Sequence, residues 1–214
     1  MDSFEQRKKD VLAKLDKSSI GKWDEKILRL CEKINLLENY YTTSSCSGRI
    51  LVMQDQEKKG PNLFKLVSHD LISYEKFMKR LPTNFHRLNT ENNPPSKFLR
   101  RCFLSSPNPN ANSKDLMSFK FKQEPLILHV MCKDLESAKI ILEKSQISGW
   151  KRSGIIFAEK RIVVELLSTE KLEFPLVSDG EFLVDEKFLK IVLKKANENM
   201  KRGWKKIQKL EKII

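Results

Sequence analysis

The stretch Thr42-Thr43-Ser44-Ser45-Cys46-Ser47-Gly48-Arg49 runs directly into Ile50-Leu51-Val52-Met53. Six consecutive hydroxyl or thiol side chains have little to bury and many groups to offer a ligand. The order predicts a polar turn over 42–48 feeding a β-strand over 49–54, with the hydroxyls and the Arg49 guanidinium at the end of a sheet. A guanidinium beside hydroxyls and backbone N–H groups suits a phosphate or carboxylate. A Ser/Thr-rich capping turn that binds nothing is the competing reading.

Downstream, a charged turn over 55–60 and a strand over 62–68 complete a β-hairpin. Its geometry brings the serine-rich turn and Ser68-His69 to one edge, and His69 becomes a candidate for acid–base work. Upstream, Phe4, Val11, Leu12 and Leu15 predict an amphipathic helix over 2–15, broken at 16–22. Asp24 then caps a second helix carrying Ile27, Leu30, Cys31, Ile34 and Leu37.

Residues 82–96 and 105–113, rich in Pro, Asn and Ser, predict loops around a strand at 98–104. Strands over 117–122 and 126–132 meet at a Glu124-Pro125 turn. The second is apolar almost throughout and predicts a central buried strand, in which His129 is either a core histidine or a group aimed into a pocket. Asp134 caps a helix to about Ile147. Gly149-Trp150-Lys151-Arg152-Ser153-Gly154 leads into strands over 155–158 and 161–168. A long helix from about Asp185 places Phe188, Ile191, Val192, Ala196, Met200, Trp204, Ile207 and Leu210 on its apolar side. Both halves, 1–81 and 97–184, run helix, Ser-Gly turn, strand, charged turn, strand; the repetition predicts a weak internal duplication within one domain over 1–214, followed by the basic helix 185–214.

The net charge of +13 and a pI near 9.5 point to a polyanionic partner, RNA or DNA before membrane. From Lys194 to Lys212 there are eight Lys or Arg and two Glu, 8 − 2 = +6, a one-signed excess that fits a phosphate-tracking surface. Lys97, Arg100, Arg101, Lys120 and Lys122 form a second basic group. No apolar run approaches bilayer length, and the first residues contain no signal-type apolar segment, so a cytoplasmic protein is expected. Cys31, Cys46, Cys102 and Cys132 form no C-x-x-C pair, and no metal is expected. The seven glycines compose neither G-x-G-x-x-G nor a Walker loop, which argues against a Rossmann nucleotide site.

The block Thr42–Arg49, together with Asp24, Ile34-Asn35, Ser68-His69, Glu124-Pro125, Ile127-Leu128-His129-Val130, Lys151-Arg152-Ser153-Gly154-Ile155, Val164-Glu165, Pro175-Leu176 and Ala196-Asn197, resembles the tRNA wybutosine-synthesising protein 3 family nearly end to end. The resemblance implies an α+β fold of non-Rossmann type, a mainly antiparallel sheet with flanking helices. It also implies an S-adenosylmethionine-dependent methyltransferase acting on N4 of the tricyclic base at position 37 of phenylalanine tRNA. On that basis Ser44, Ser45, Cys46, Ser47, Gly48, Arg49, Ser153 and Gly154 are expected to bind cofactor. His129, His69 and Asp24 are the catalytic candidates. Lys151, Arg152, Lys201, Arg202 and Lys205 are expected to hold the anticodon stem-loop of a protein that works as a monomer. A non-enzymatic anticodon-loop binder is the alternative.

Overall fold

A computed structural model describes residues 3–13, 24–56, 63–81, 118–158, 161–178 and 181–214. The loops expected at 82–96 and 105–113, the strand at 98–104, the break at 16–22 and most of the turn at 55–60 lie outside the described residues. The described ones form two compact units, each assembled from separate stretches of chain: Met1–Arg49, Pro125–Glu170 and Asn199–Ile214 in the first, Ile50–Glu124 and Lys171–Glu198 in the second.

The first unit is a four-stranded sheet with helices packed on it. In chain order it contains α1 (Phe4–Leu12), α2 (Glu25–Leu36), β1 (Tyr40–Cys46), β5 (Ile127–Cys132), α4 (Leu135–Ile147), β6 (Gly154–Ala158), β7 (Arg161–Leu167) and the C-terminal part of α5 (Glu186–Ile213). The strand order is β1-β5-β7-β6, every pair antiparallel. Leu128, Val130, Cys132, Val164 and Leu166 point to one face and bury themselves against Ile27, Leu30, Cys31 and Ile34 of α2, Ala138 and Ile141 of α4, and Ile207 and Leu210 of α5. Residues alternate between the faces of a strand. Helices α2 and α4 begin where Asp24 and Asp134 accept the backbone N–H groups of Lys26 and Ser137. Helix α4 ends in a Schellman motif: Trp150 N–H bonds to Ser145 O at 3.0 Å and Gly149 N–H to Gln146 O at 3.0 Å, with Gly149 at φ +94°.

The serine-rich stretch is therefore a strand and not a turn. Polarity argued for a turn, but Tyr40-Tyr41 starts the strand, and hydroxyl side chains are tolerated because one face of this sheet is open around them. Strand β1 is a sheet edge, whose N–H groups would lack partners. Asn35 on α2 meets part of that need, accepting from Thr42 N–H at 2.7 Å and donating to Thr42 Oγ1 at 3.1 Å.

The second unit contains β2 (Arg49–Gln54), β3 (Phe64–Ser68), α3 (Tyr74–Arg80), β4 (Phe119–Glu124), β8 (Leu172–Ser178), β9 (Glu181–Phe182) and the N-terminal part of α5. Its strand order is β3-β2-β4-β8-β9. The β2–β3 hairpin forms as expected, with Ile50 opposite Ser68. Phe77, Phe121, Phe174 and Phe188 make a chain of ring contacts at 5.9, 5.1 and 5.5 Å between centroids. Asn197 on α5 holds both the N–H and the C=O of Ile72, at 3.0 and 2.9 Å.

Other features differ from the sequence reading or lie beyond it. Strands β4 and β5 do not pair, since the chain leaves one sheet and enters the other at Pro125. Strands β8 and β9 were not foreseen, because Pro175 and the charges in 169–173 disguise them. The buried stripe of α5 is Leu189, Leu193, Ala196, Met200, Gly203, Ile207 and Leu210, at alternating spacings of four and three, whereas Phe188 and Ile191 are exposed. Lys120 and Lys122 are also less of a basic patch than expected, being ion-paired with Asp55 at 2.5 Å and Glu173 at 2.9 Å.

Candidate active site on the open face of the four-stranded sheet

Strand β1 carries a β-bulge. Thr42 lies opposite Val130, but Ser44 lies opposite His129, so Thr43 is the extra residue. The slip exchanges the two faces of β1. Before it Tyr40 and Thr42 face the core, and after it Ser45 does, its hydroxyl reaching the Cys31 thiol alongside that of Thr42. Ser44, exposed, and Cys46, half-buried, are left on the opposite face. Without the bulge, Thr43 would stand opposite His129.

Ser44 Oγ lies 2.7 Å from His129 Nδ1, and His129 Nε2 lies 2.9 Å from Glu165 Oε2. His129 and Glu165 are each 30 % exposed, so the core alternative for this histidine does not hold. A carboxylate oxygen can only accept, so the imidazole donates from Nε2 to Glu165, and in the neutral ring the Nδ1 lone pair accepts the hydrogen bond of the Ser44 hydroxyl. The register continues the row, since Glu165 stands opposite Gly154 on β6. Ser44, His129, Glu165 and Gly154 thus occupy four adjacent strands on one face, roughly 5 Å apart from strand to strand. The arrangement is a hydroxyl, a base and a carboxylate that orients the base, suited to taking a proton from a bound group.

A second cluster surrounds Ser47. Asp24 accepts from Ser47 N–H at 2.8 Å with one oxygen while the other caps α2, and Trp204 Nε1 donates to Ser47 O at 3.2 Å. Lys26 Nζ sits 4.9 Å from the centre of the Trp204 ring. Gly48 follows at φ +93°, a conformation that glycine adopts without strain. Ser47 Oγ is buried and has no hydrogen-bond partner among the described residues. Asp24 and the Ser47 backbone therefore brace the chain where it leaves β1, and Arg49, half-buried, opens β2.

Ser153 Oγ donates to Trp150 O at 2.6 Å and accepts from Leu167 N–H at 3.2 Å, so it shapes the turn before β6. Lys151 and Arg152 are exposed in that turn, and Lys201, Arg202 and Lys205 are exposed on α5, with Arg202 bonded to Asn199. His69 follows β3 in the second unit, next to Ser68, whose hydroxyl donates to Asp70 O at 3.1 Å. Glu165 and Trp204 had no assigned role. A charged residue inside the apolar run 162–167 was the available signal for Glu165, but only strand pairing supplies its partner. Cys31 and Cys132 are poor nucleophiles: burial pushes both thiols up to about 12, in Cys31 against the opposing hydrogen bonds of Ser45 and Thr42. Among the described residues no helix is long and apolar enough to cross a membrane.

The family described as Methyltransferase TYW3 matches residues 6–214. A tRNA(Phe) 7-((3-amino-3-carboxypropyl)-4-demethylwyosine(37)-N(4))-methyltransferase of Thermococcus sibiricus is 34 % identical, over 99 % of this chain and 94 % of that protein. The protein of the same name from Methanocaldococcus jannaschii is also 34 % identical, over 86 % and 81 %. A solved structure of a Pyrococcus horikoshii protein superposes with a TM-score of 0.74 at 29 % identity, covering 99 % of this chain and 95 % of that one. These matches run nearly the whole length of both chains, and the chain belongs to the Methyltransferase TYW3 family of tRNA wybutosine-synthesising protein 3.

Proposed function

We propose that this methyltransferase transfers the methyl group of S-adenosylmethionine to N4 of the tricyclic precursor base at position 37 of tRNA-Phe, the reaction named for its archaeal relatives. The observation that carries the site assignment is the hydrogen-bonded row Ser44–His129–Glu165. When bound, the donor supplies an electrophilic methyl on a sulfonium. The ring nitrogen must lose its proton as the N–CH3 bond forms, and His129 receives that proton at Nδ1, directly or through the Ser44 hydroxyl. Glu165 holds the imidazole in the receptive tautomer and stabilises the imidazolium that results. Arg49 is suited to a carboxylate or a phosphate. The open strand face fits such a donor, with a carboxylate near a position where no side chain intrudes.

Lys151, Arg152, Lys201, Arg202 and Lys205 serve the phosphates of the anticodon stem-loop in this reading, and the protein acts as a cytoplasmic monomer. Each phosphate contact adds close to one unit to the dependence of affinity on log salt.

The test is transfer of labelled methyl from S-adenosylmethionine to tRNA-Phe carrying the demethyl precursor. His129→Ala is expected to lower kcat about 10²–10⁴-fold with tRNA affinity retained. Wild-type turnover in His129→Ala would remove the row from the mechanism. Undiminished tRNA binding by a wild-type protein that transfers no methyl would instead establish a non-enzymatic RNA binder.

A further inference from the structure

Each described glycine but one has a reason in the fold. Gly48 and Gly149 sit at φ +93° and +94°. At Gly203 on α5 a Cβ would come within 2.7 Å of Leu126 Cδ2, in a fully packed part of the core. Gly154 has neither excuse. Its φ lies outside the left-handed region, and a Cβ built there meets nothing within 4 Å. It opens β6, where glycine weakens a strand by losing more backbone entropy than other residues and packing no side chain. Close approach of a ligand or another backbone is one of the reasons for a glycine in a strand.

What faces that place is charged. Gly154 is directly opposite Glu165, so both project from the same face of the sheet. Glu165 uses Oε2 for His129, while its Oε1 has no partner among the described residues. A partly exposed carboxylate oxygen beside an empty glycine position calls for a small cationic donor, with room for the atoms that carry it. His129 stands on the next strand beyond Glu165 and bonds to its carboxylate, so a molecule reacting at His129 reaches that carboxylate with a substituent a few atoms long.

We propose that Gly154 and Glu165 Oε1 form the subsite for the ammonium of a 3-amino-3-carboxypropyl group, with Gly154 leaving space for its carbon chain. The inference rests on the methyltransferase reading above. Two molecules of that reaction carry this same group, the methionine part of S-adenosylmethionine and the side chain at C7 of the precursor base. The chemistry of the subsite is common to both.

The experiment uses the full-length protein and Gly154→Val, which adds branched bulk at a position where a Cβ meets nothing within 4 Å, with a residue favoured in strands. Its melting temperature is expected to equal or exceed that of the wild type. Glu165→Gln, which keeps the shape and removes the charge, serves as a second variant. Calorimetry measures the Kd of S-adenosylmethionine. Steady-state methylation measures KM for precursor tRNA with and without the 3-amino-3-carboxypropyl side chain.

A tenfold or larger rise in the donor Kd in both variants places the donor's amino-acid end in the subsite. An unchanged donor Kd, with a raised KM confined to the tRNA bearing the side chain, places the substrate's there. A folded Gly154→Val protein with wild-type Kd and wild-type discrimination between the two tRNAs overturns the subsite while leaving the methyltransferase reading intact. A wild-type protein that neither binds the donor nor methylates either tRNA overturns both.

Discussion

The two Ser-Gly pairs of the first unit, Ser47-Gly48 and Ser153-Gly154, look alike in sequence and differ in the folded chain. The first is buried and held from both sides, its N–H by Asp24 and its C=O by Trp204, with Gly48 at φ +93°. The second is a shallow turn in which the Ser153 hydroxyl is satisfied locally and Gly154 enters a strand beside open space. In the first pair the serine keeps a buried hydroxyl with no partner among the described residues, and the glycine is demanded by the backbone. In the second the glycine is surplus to the fold. One pair is a brace and the other an opening, and a shared dipeptide is no evidence that two turns do the same work.

That contrast can be broken at the brace. Trp204→Ala removes a half-buried indole and the donor to Ser47 O, and is expected to cost about 3 kcal/mol in a urea titration. An unchanged midpoint would show that α5 does not hold the end of β1. Next come the glycines. Gly48→Ala should cost about 1–2 kcal/mol, because it places a Cβ in the left-handed region, whereas Gly154→Ala should be neutral or stabilise by up to about 0.5 kcal/mol. Equal losses at the two positions would erase the distinction drawn here.

Asp24→Ala leaves the Lys26 and Ser47 N–H groups without their acceptor, and a loss of about 1 kcal/mol is expected. Asp24→Asn should recover most of it if the role is capping, whereas a general base would not be rescued, so stability and methylation rate together separate the two.

The smallest effect concerns the base of α5. Burial pushes the Glu170 carboxyl up, but the hydrogen bonds and charge of Lys206, at 2.6 and 2.8 Å, outweigh it and leave the group below its ordinary 4.5. A carboxyl with a lowered folded pKa contributes stability above its unfolded value and loses it as pH falls through the folded one. The wild type should therefore exceed Glu170→Gln in urea midpoint at pH 7, and the gap should narrow as the pH falls below 4.5. A gap that did not narrow with acid would assign the difference to packing.

Much was legible in the chain because it depends on neighbours in sequence. Asp24, Asp134 and Asp185 start their helices, and the periodicity of 27–34 and 135–147 marks true helices, since a cap and a 3.6-residue stripe are local properties. The serine-rich block, with its companions along the chain, was specific enough to point to the family. Asn35 and Asn197 entered that reading as pattern residues, and the fold shows that each hydrogen-bonds chain outside its own helix, Thr42 in one unit and Ile72 in the other.

Other features depend on residues far apart in the chain. The bulge at Thr43, which turns Ser44 outward and Ser45 inward to Cys31, exists only against the register of β5. Glu165 becomes the partner of His129 through strand pairing across 36 positions, and Gly154 becomes an opening because nothing packs above it. Sequence by itself determined α1, α2, α4 and α5, the strong positive charge and the family, because these follow from composition, short-range periodicity and motif; the short helix α3 was not among them. The tertiary structure alone decided which hydroxyl meets the histidine and which glycine is spare, because cross-strand register is set by backbone hydrogen bonds between distant segments.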